Sequence, residues 1–165
     1  MKIIFLDIDG VLNNADDSDF HVHKGGSYCY SPKCVENLNL ILGTTDAKIV
    51  VSSTWRLGQS VEQLQCTILD MGIRGEVVGK TGSLSHIPGV LRGNEILAWI
   101  KGNSKQLGQE YYDFNSYVIL DDDSDMLLWQ KDNFVKTDGY VGLTLDNAQT
   151  AIAILNNFAI PQVGL

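Results

Sequence analysis

The sequence predicts an α/β domain, a central parallel sheet with helices on both faces. Three observations carry that expectation. Short apolar runs at Ile3–Leu6, Ala47–Val51 and Tyr117–Leu120 show no polar alternation, so they read as strands buried on both sides, as parallel sheets require. Amphipathic helical patterns separate these runs, and strands alternating with helices build parallel sheets rather than hairpins. Each run also ends in reactive side chains: Asp7 and Asp9, Ser52 and Ser53, Asp121 and Asp122. In a parallel sheet all carboxyl ends share one edge, where open α/β folds place their ligands.

Taken in order, the first strand stops at Asp7, and Gly10 lets the chain turn. A polar stretch, 13–31, with Asp16, Asp17, Asp19, Gly25 and Gly26, reads as a loop or short flap with a solvated acidic surface. Ser31-Pro32 opens a helix, serine as N-cap and proline at the first helical position. Val35, Leu38, Ile41 and Leu42 form its apolar stripe, and Gly43 is expected to stop it. After the second strand, Ser60 and Gln63 make a capping box for a helix with Val61, Leu64, Ile68 and Met71 on its core face, ended by Gly72. Glu76–Val78 reads as a third, short strand and 79–91 as a loop. A helix from Gly93 to Lys101 turns Ile96, Leu97 and Ile100 inward. Beyond the acidic run 121–125, Met126–Trp129 begins a helix and Phe134–Lys136 is a further strand. The last helix, 145–157, buries Ala148, Ile152 and Leu155. No repeat or linker divides the chain, so residues 1–165 are expected to form one domain.

Composition narrows the function classes. A hydrophobic content of 44% with 19% charged residues suits a soluble globular domain, and no apolar run approaches the ~18 residues of a membrane span. The first fifteen residues carry aspartates and no apolar core of a signal peptide, so the expected location is cytoplasmic. A net charge of −8 argues against a broad basic footprint for nucleic acid, though recognition of a nucleic-acid end needs only a few local cations. Three cysteines, an odd number, fit a reducing compartment and no disulfide framework. His21, His23, Cys29 and Cys34 match no closed zinc pattern.

The chemistry starts with Asp7 and Asp9. If residues 7–9 stay extended, the two carboxylates point the same way and repel unless a cation lies between them; hard divalent ions prefer such oxygen ligands. A calcium EF-hand does not fit, since the twelfth loop position counted from Asp7 is Ser18.

With these motifs in place, the chain resembles a haloacid dehalogenase (HAD)-superfamily phosphohydrolase along nearly its whole length. Phe5-Leu6-Asp7-Ile8-Asp9-Gly10-Val11 resembles the first motif of that superfamily, Val50-Val51-Ser52 the second and Val118-Ile119-Leu120-Asp121-Asp122 the fourth. Leu12-Asn13, Ser53-Thr54-Trp55-Arg56, Arg92-Gly93-Asn94-Glu95-Ile96 and Trp99 are similar to small capless members, the phosphatase domains of RNA-repair proteins and of polynucleotide kinase-phosphatases. The resemblance implies a single Rossmann-like domain without a substantial cap. The stretch 13–31 is too short for a domain with its own core, and a helix, a strand and a loop already occupy the interval from Ser52 to Arg92.

The implied activity is Mg2+-dependent phosphomonoester hydrolysis through an aspartyl-phosphate. Asp7 is implied as nucleophile and Asp9 as general acid–base. Ser52, with Ser53 as its alternative, would donate to a phosphate oxygen. Where the superfamily commonly has a lysine before its fourth motif, this chain offers Arg92, with Lys80 as the rival. Metal ligands implied are Asp7 and Asp121, with the Asp9 main-chain carbonyl as a third, while Asp122 and Asp125 hold waters or orient the shell. Trp55 reads as core rather than a base-stacking platform. The substrate is a phosphate on a nucleic-acid end or a small phosphomonoester, and the missing surface cations leave room for a partner subunit. The competing readings are a small-metabolite or nucleotide phosphatase and a non-catalytic HAD-like binding subunit. A response-regulator receiver would place its acidic pair and its acceptor on different strands, contrary to Asp7-x-Asp9.

Overall fold

The computed structural model describes residues 1–14, 21–22, 29–108 and 114–157. Five strands form one parallel sheet: β1 (Ile3–Leu6), β4 (Lys48–Val51), β5 (Val77–Lys80), β6 (Tyr117–Asp121) and β7 (Phe134–Lys136), in the spatial order β5-β4-β1-β6-β7. A separate antiparallel pair, β2 (His21–Val22) and β3 (Cys29–Tyr30), lies in the predicted flap, the rest of which falls largely outside the described residues.

Side-chain alternation sorts the strands between two layers. Ile4, Leu6, Ile49, Val51, Val118 and Leu120 join the core formed with α1 (Pro32–Thr45), α2 (Val61–Asp70) and α5 (Leu145–Leu155). Ile3, Phe5, Val50, Tyr117 and Ile119 face the opposite layer, built by α3 (Arg92–Gly102) with Leu107 of α4 (Ser104–Leu107) and Phe114. Every residue of β1 is fully buried, which is why the strand reads as an unbroken apolar run. The predicted sheet with helices on both faces is therefore the observed architecture, and among the described residues no inserted segment builds a further core.

The chain crosses from β5 back to β6, on the other side of β1, so the connections reverse between β1 and β6. That reversal falls between the strand ends that carry Asp7 and Asp121, the position where open α/β folds place their ligands.

Several element boundaries differ from the sequence expectations. Gly43 does not stop α1; the helix runs to Thr45, and Asp46 takes the left-handed cap conformation at φ 53°, donating its N–H to Leu42 O. β5 extends two residues beyond Val78 to Lys80. Its Gly79 is required by close approach, because a Cβ there would lie 2.9 Å from Trp99 Nε1. Met126 and Leu127 do not begin an α-helix; a 3-10 helix spans Leu128–Asn133, with the Gln130 side chain accepting from Leu127 N. The last helix ends at Leu155, with Ala151 and Ile154 buried alongside Ala148 and Leu155 and Ile152 only partly covered.

Candidate active site

The site begins where β1 ends. Asp7 N donates to Leu120 O at 3.0 Å and Ser52 N to Leu6 O at 2.9 Å, so the ends of β6, β1 and β4 are stitched together at the level of the functional side chains. Asp7, Asp121 and Asp122 come together there, with a carboxylate oxygen from each lying within 4.8 Å of the others. Asp7 and Asp121 are buried, and Asp122 is partly covered. Asp122 reaches over two glycines: a Cβ on Gly10, which has φ 71°, or on Gly139 would collide with its carboxylate.

Arg92, at the first turn of α3, enters this cluster. Its Nη1 lies 3.1 Å from Asp7 Oδ1 and 2.5 Å from Ser52 O, and its Nε lies 3.7 Å from Asp121 Oδ2. Lys80 turns elsewhere, donating to the carbonyls of Arg56 and Gln59. Asp125 holds the start of α3: its Oδ2 accepts from Arg92 N at 2.9 Å and its carbonyl from Gly93 N at 3.2 Å. The helix has no side-chain cap of its own at Leu91, so Asp125 supplies one from another strand's end.

Charge in the cluster is poorly compensated. Burial raises the Asp121 carboxyl to about 7, and neighbouring Asp7 pushes the same way against the pull of Arg92. Burial likewise raises Asp7, opposed by Arg92 and a hydrogen bond from Ser53. Asp122 is raised by burial and by Asp123. Burial works against the charge on Arg92, but Asp121 and Asp7 outweigh it and hold the guanidinium above its ordinary value. The Asp121 Oδ2 atom is buried without a hydrogen-bond partner, and so is Ser52 Oγ. An all-oxygen carboxylate set in which one buried oxygen lacks a hydrogen bond fits a hard divalent cation.

Asp9 is not part of this acidic triplet. The chain turns at Ile8, whose carbonyl accepts from Leu12 N, so the carboxylate of Asp9 stands at the exposed rim. Asn13 Nδ2 donates to its Oδ1 at 2.7 Å and Trp55 Nε1 to its Oδ2 at 3.0 Å. Trp55 is partly buried against the core and also contacts this rim carboxylate, so it is more than a core residue. Ser53 is fully buried, and its hydroxyl accepts from Trp55 N as well as contacting Asp7.

A second charged cluster underlies the first. Arg56, only 4% exposed, pairs with Glu95 at 2.6 Å and donates to four carbonyls. The sequence places Arg56 and Glu95 in two motifs of the family resemblance, with Arg56 a weaker candidate than Arg92 for a phosphate cation, and does not reveal that they pair. Arg56 points into this cluster instead. The three cysteines are free, and Cys34 Sγ lies near Asn14 and Val141; the side chains of His21 and His23 lie outside the described residues. Among the described residues no helix is long and apolar enough to cross a membrane.

A buried aspartate pair at the chain reversal, bridged by the Arg92 guanidinium, lies where open α/β folds place their ligands. Residues 3–148 match the family described as the HAD domain in Swiss Army Knife RNA repair proteins, and the chain belongs to that family and so to the HAD-superfamily hydrolases. Curated proteins provide no match. Among solved structures, the chain is similar to a Legionella pneumophila protein described as a HAD-superfamily (subfamily III A) hydrolase. The two share 15% identity over 96% of this chain and 85% of the other, at a TM-score of 0.43.

Proposed function

We propose that this protein is a Mg2+-dependent phosphomonoesterase that works through a phosphorylated Asp7. The observation that carries the proposal is Asp7 itself: a strand-end carboxylate, 5% exposed, held by Arg92 and facing Asp121 and Asp122. A carboxylate so placed attacks phosphorus, displaces the alcohol and forms an acyl phosphate, splitting one hard displacement into two easier ones. Arg92 holds oxygens of the transferring group, and its planar fork suits two at once. Ser52 Oγ, buried and unpartnered, donates to another. Ser53 donates to Asp7 and keeps its carboxylate oriented. Asp9, at the rim, protonates the departing alkoxide and then takes a proton from the water that cleaves the acyl phosphate. Asp7, Asp121 and Asp122 would hold the Mg2+, with the Asp9 carbonyl as a further ligand. The ion would supply charge neutralisation for an anionic substrate meeting an anionic nucleophile.

The exposed position of Asp9 and the absence of an inserted core among the described residues favour a phosphate carried on a bulky group. The RNA-repair description of the family points the same way, to a nucleic-acid terminal phosphate. A net charge of −8 gives little long-range attraction for a polyanion, so recognition would be confined to the terminal phosphate and its nearest nucleotides, or shared with a partner subunit.

The test is phosphate release from 3′- and 5′-phosphorylated oligonucleotides and from a mononucleotide, at fixed salt, with Mg2+ and with chelator. Asp7→Asn keeps the shape and removes the nucleophilic charge, so turnover should fall by roughly 10,000-fold or more. Retained activity in that variant would refute the mechanism. A higher kcat/KM for the mononucleotide would instead assign a small-molecule substrate.

A further inference from the structure

We infer that Arg56 is a positioning residue of this centre: by fixing the carbonyl of Ser52, it sets the guanidinium of Arg92 beside Asp7. The inference rests on the phosphatase reading.

All five N–H donors of Arg56 are engaged. Nε donates to Thr81 O at 2.9 Å. Nη1 donates to Ser52 O and Ser53 O at 2.7 and 2.8 Å. Nη2 donates to Gly82 O at 3.1 Å and Glu95 Oε2 at 2.6 Å. The remaining Glu95 oxygen accepts from Leu84 N at 2.7 Å. One guanidinium–carboxylate pair thus joins the turn after β4, the turn after β5 and helix α3.

The shared acceptor makes the link specific. Ser52 O receives Nη1 of Arg56 and Nη1 of Arg92 together. Burial disfavours ionised Arg56 and the neighbouring Arg92 adds to it, while Glu95 and Asp7 favour it. Glu95 on one side and Asp7 on the other hold them in place. Glu95 also sits one helical turn after Arg92 on α3, so a shift of the Arg56–Glu95 pair moves the residue that carries the catalytic guanidinium.

Stability alone accounts poorly for this arrangement. Burying two charges is costly, and packed apolar residues in the same volume often serve stability equally well. What an apolar replacement cannot do is direct four carbonyls and a helix start at once. Lysine cannot do so either: it has three donors and no planar fork.

The experiment is a double-mutant cycle between Arg56→Lys and Arg92→Lys. For each variant, kcat and KM on p-nitrophenyl phosphate and Kd for inorganic phosphate would be measured with Mg2+, alongside the melting temperature. Arg56→Lys is expected to lower kcat by roughly 10- to 100-fold in folded enzyme, since small misplacements at a reacting centre have effects of that size. It is expected to weaken phosphate binding too. In the Arg92→Lys background the same change should cost less than about twofold, because the residue acts through Arg92. Effects that multiply independently would overturn the inference. So would a lower melting temperature with unchanged kcat and phosphate Kd, which is the signature of a purely structural pair. Should Arg56→Lys fail to fold, Glu95→Gln replaces it, with the same non-additivity expected and the same two overturning results. A wild type that releases no phosphate from any phosphomonoester strikes the phosphatase reading instead.

Discussion

Two charged clusters lie against each other at the carboxyl edge of the sheet, and they are built on opposite principles. Around Arg56 every donor has an acceptor, the carboxylate of Glu95 uses both its oxygens, and opposite charges are matched one to one. Around Asp7 three carboxylates face the one guanidinium of Arg92, Asp121 Oδ2 has no hydrogen-bond partner, and the acids are pushed toward their protonated forms. The first arrangement is what a scaffold needs: full satisfaction fixes geometry. The second leaves negative charge unbalanced, which the proposed Mg2+ would neutralise. The two clusters meet at Ser52 O, which accepts from both Arg56 and Arg92.

The two clusters should therefore respond to mutation with opposite signs. Removing one member of the satisfied pair, as in Arg56→Leu, leaves Glu95 buried and unpaired and should cost on the order of 3–5 kcal/mol by denaturant unfolding. Asp121→Asn should instead stabilise the metal-free protein at neutral pH while impairing activity, because it removes a charge the fold disfavours. A loss of stability in both variants would erase the distinction.

A smaller effect, with a definite sign, is expected from pH. The Asp121 carboxyl titrates near 3.8 when unfolded and at about 7 when folded, so between those values the folded state binds more protons than the unfolded chain. Stability in chelator should therefore fall as pH rises from about 4 to 7 and level off above. Asp7, raised for the same reason, contributes in the same direction. Thermal melts across this range check it, and Asp121→Asn should flatten the slope.

How much of this could be read from the chain follows from which interactions are local. The strands and the acids that end them were legible because a buried parallel strand is an apolar run and its carboxyl end is where the run stops, as at Leu6-Asp7 and Leu120-Asp121. The capping boxes at Ser60–Gln63 and the N-cap of Ser31 were legible for the same local reason. The end of α1 was not, because Asp46 rather than Gly43 adopts the left-handed turn, a conformation open to aspartate at modest cost. Nor was the orientation of Asp9, since alternation holds only while the chain stays extended and the turn begins at Ile8. Asp125 as a cap for α3, Trp55 as a donor to Asp9 and the Arg56–Glu95 pair all join segments from different strand ends. Such contacts depend on tertiary register, which no single stretch of sequence encodes.

That the acidic cluster is built to hold a divalent cation is tested most directly by melting the protein at neutral pH across a MgCl2 titration. The wild type should gain stability as the logarithm of Mg2+ concentration, about 2.7 kcal/mol at a hundredfold excess over the dissociation constant. In Asp121→Asn the gain should largely vanish. A wild-type midpoint indifferent to Mg2+, or an equal rise in Asp121→Asn, would contradict the account.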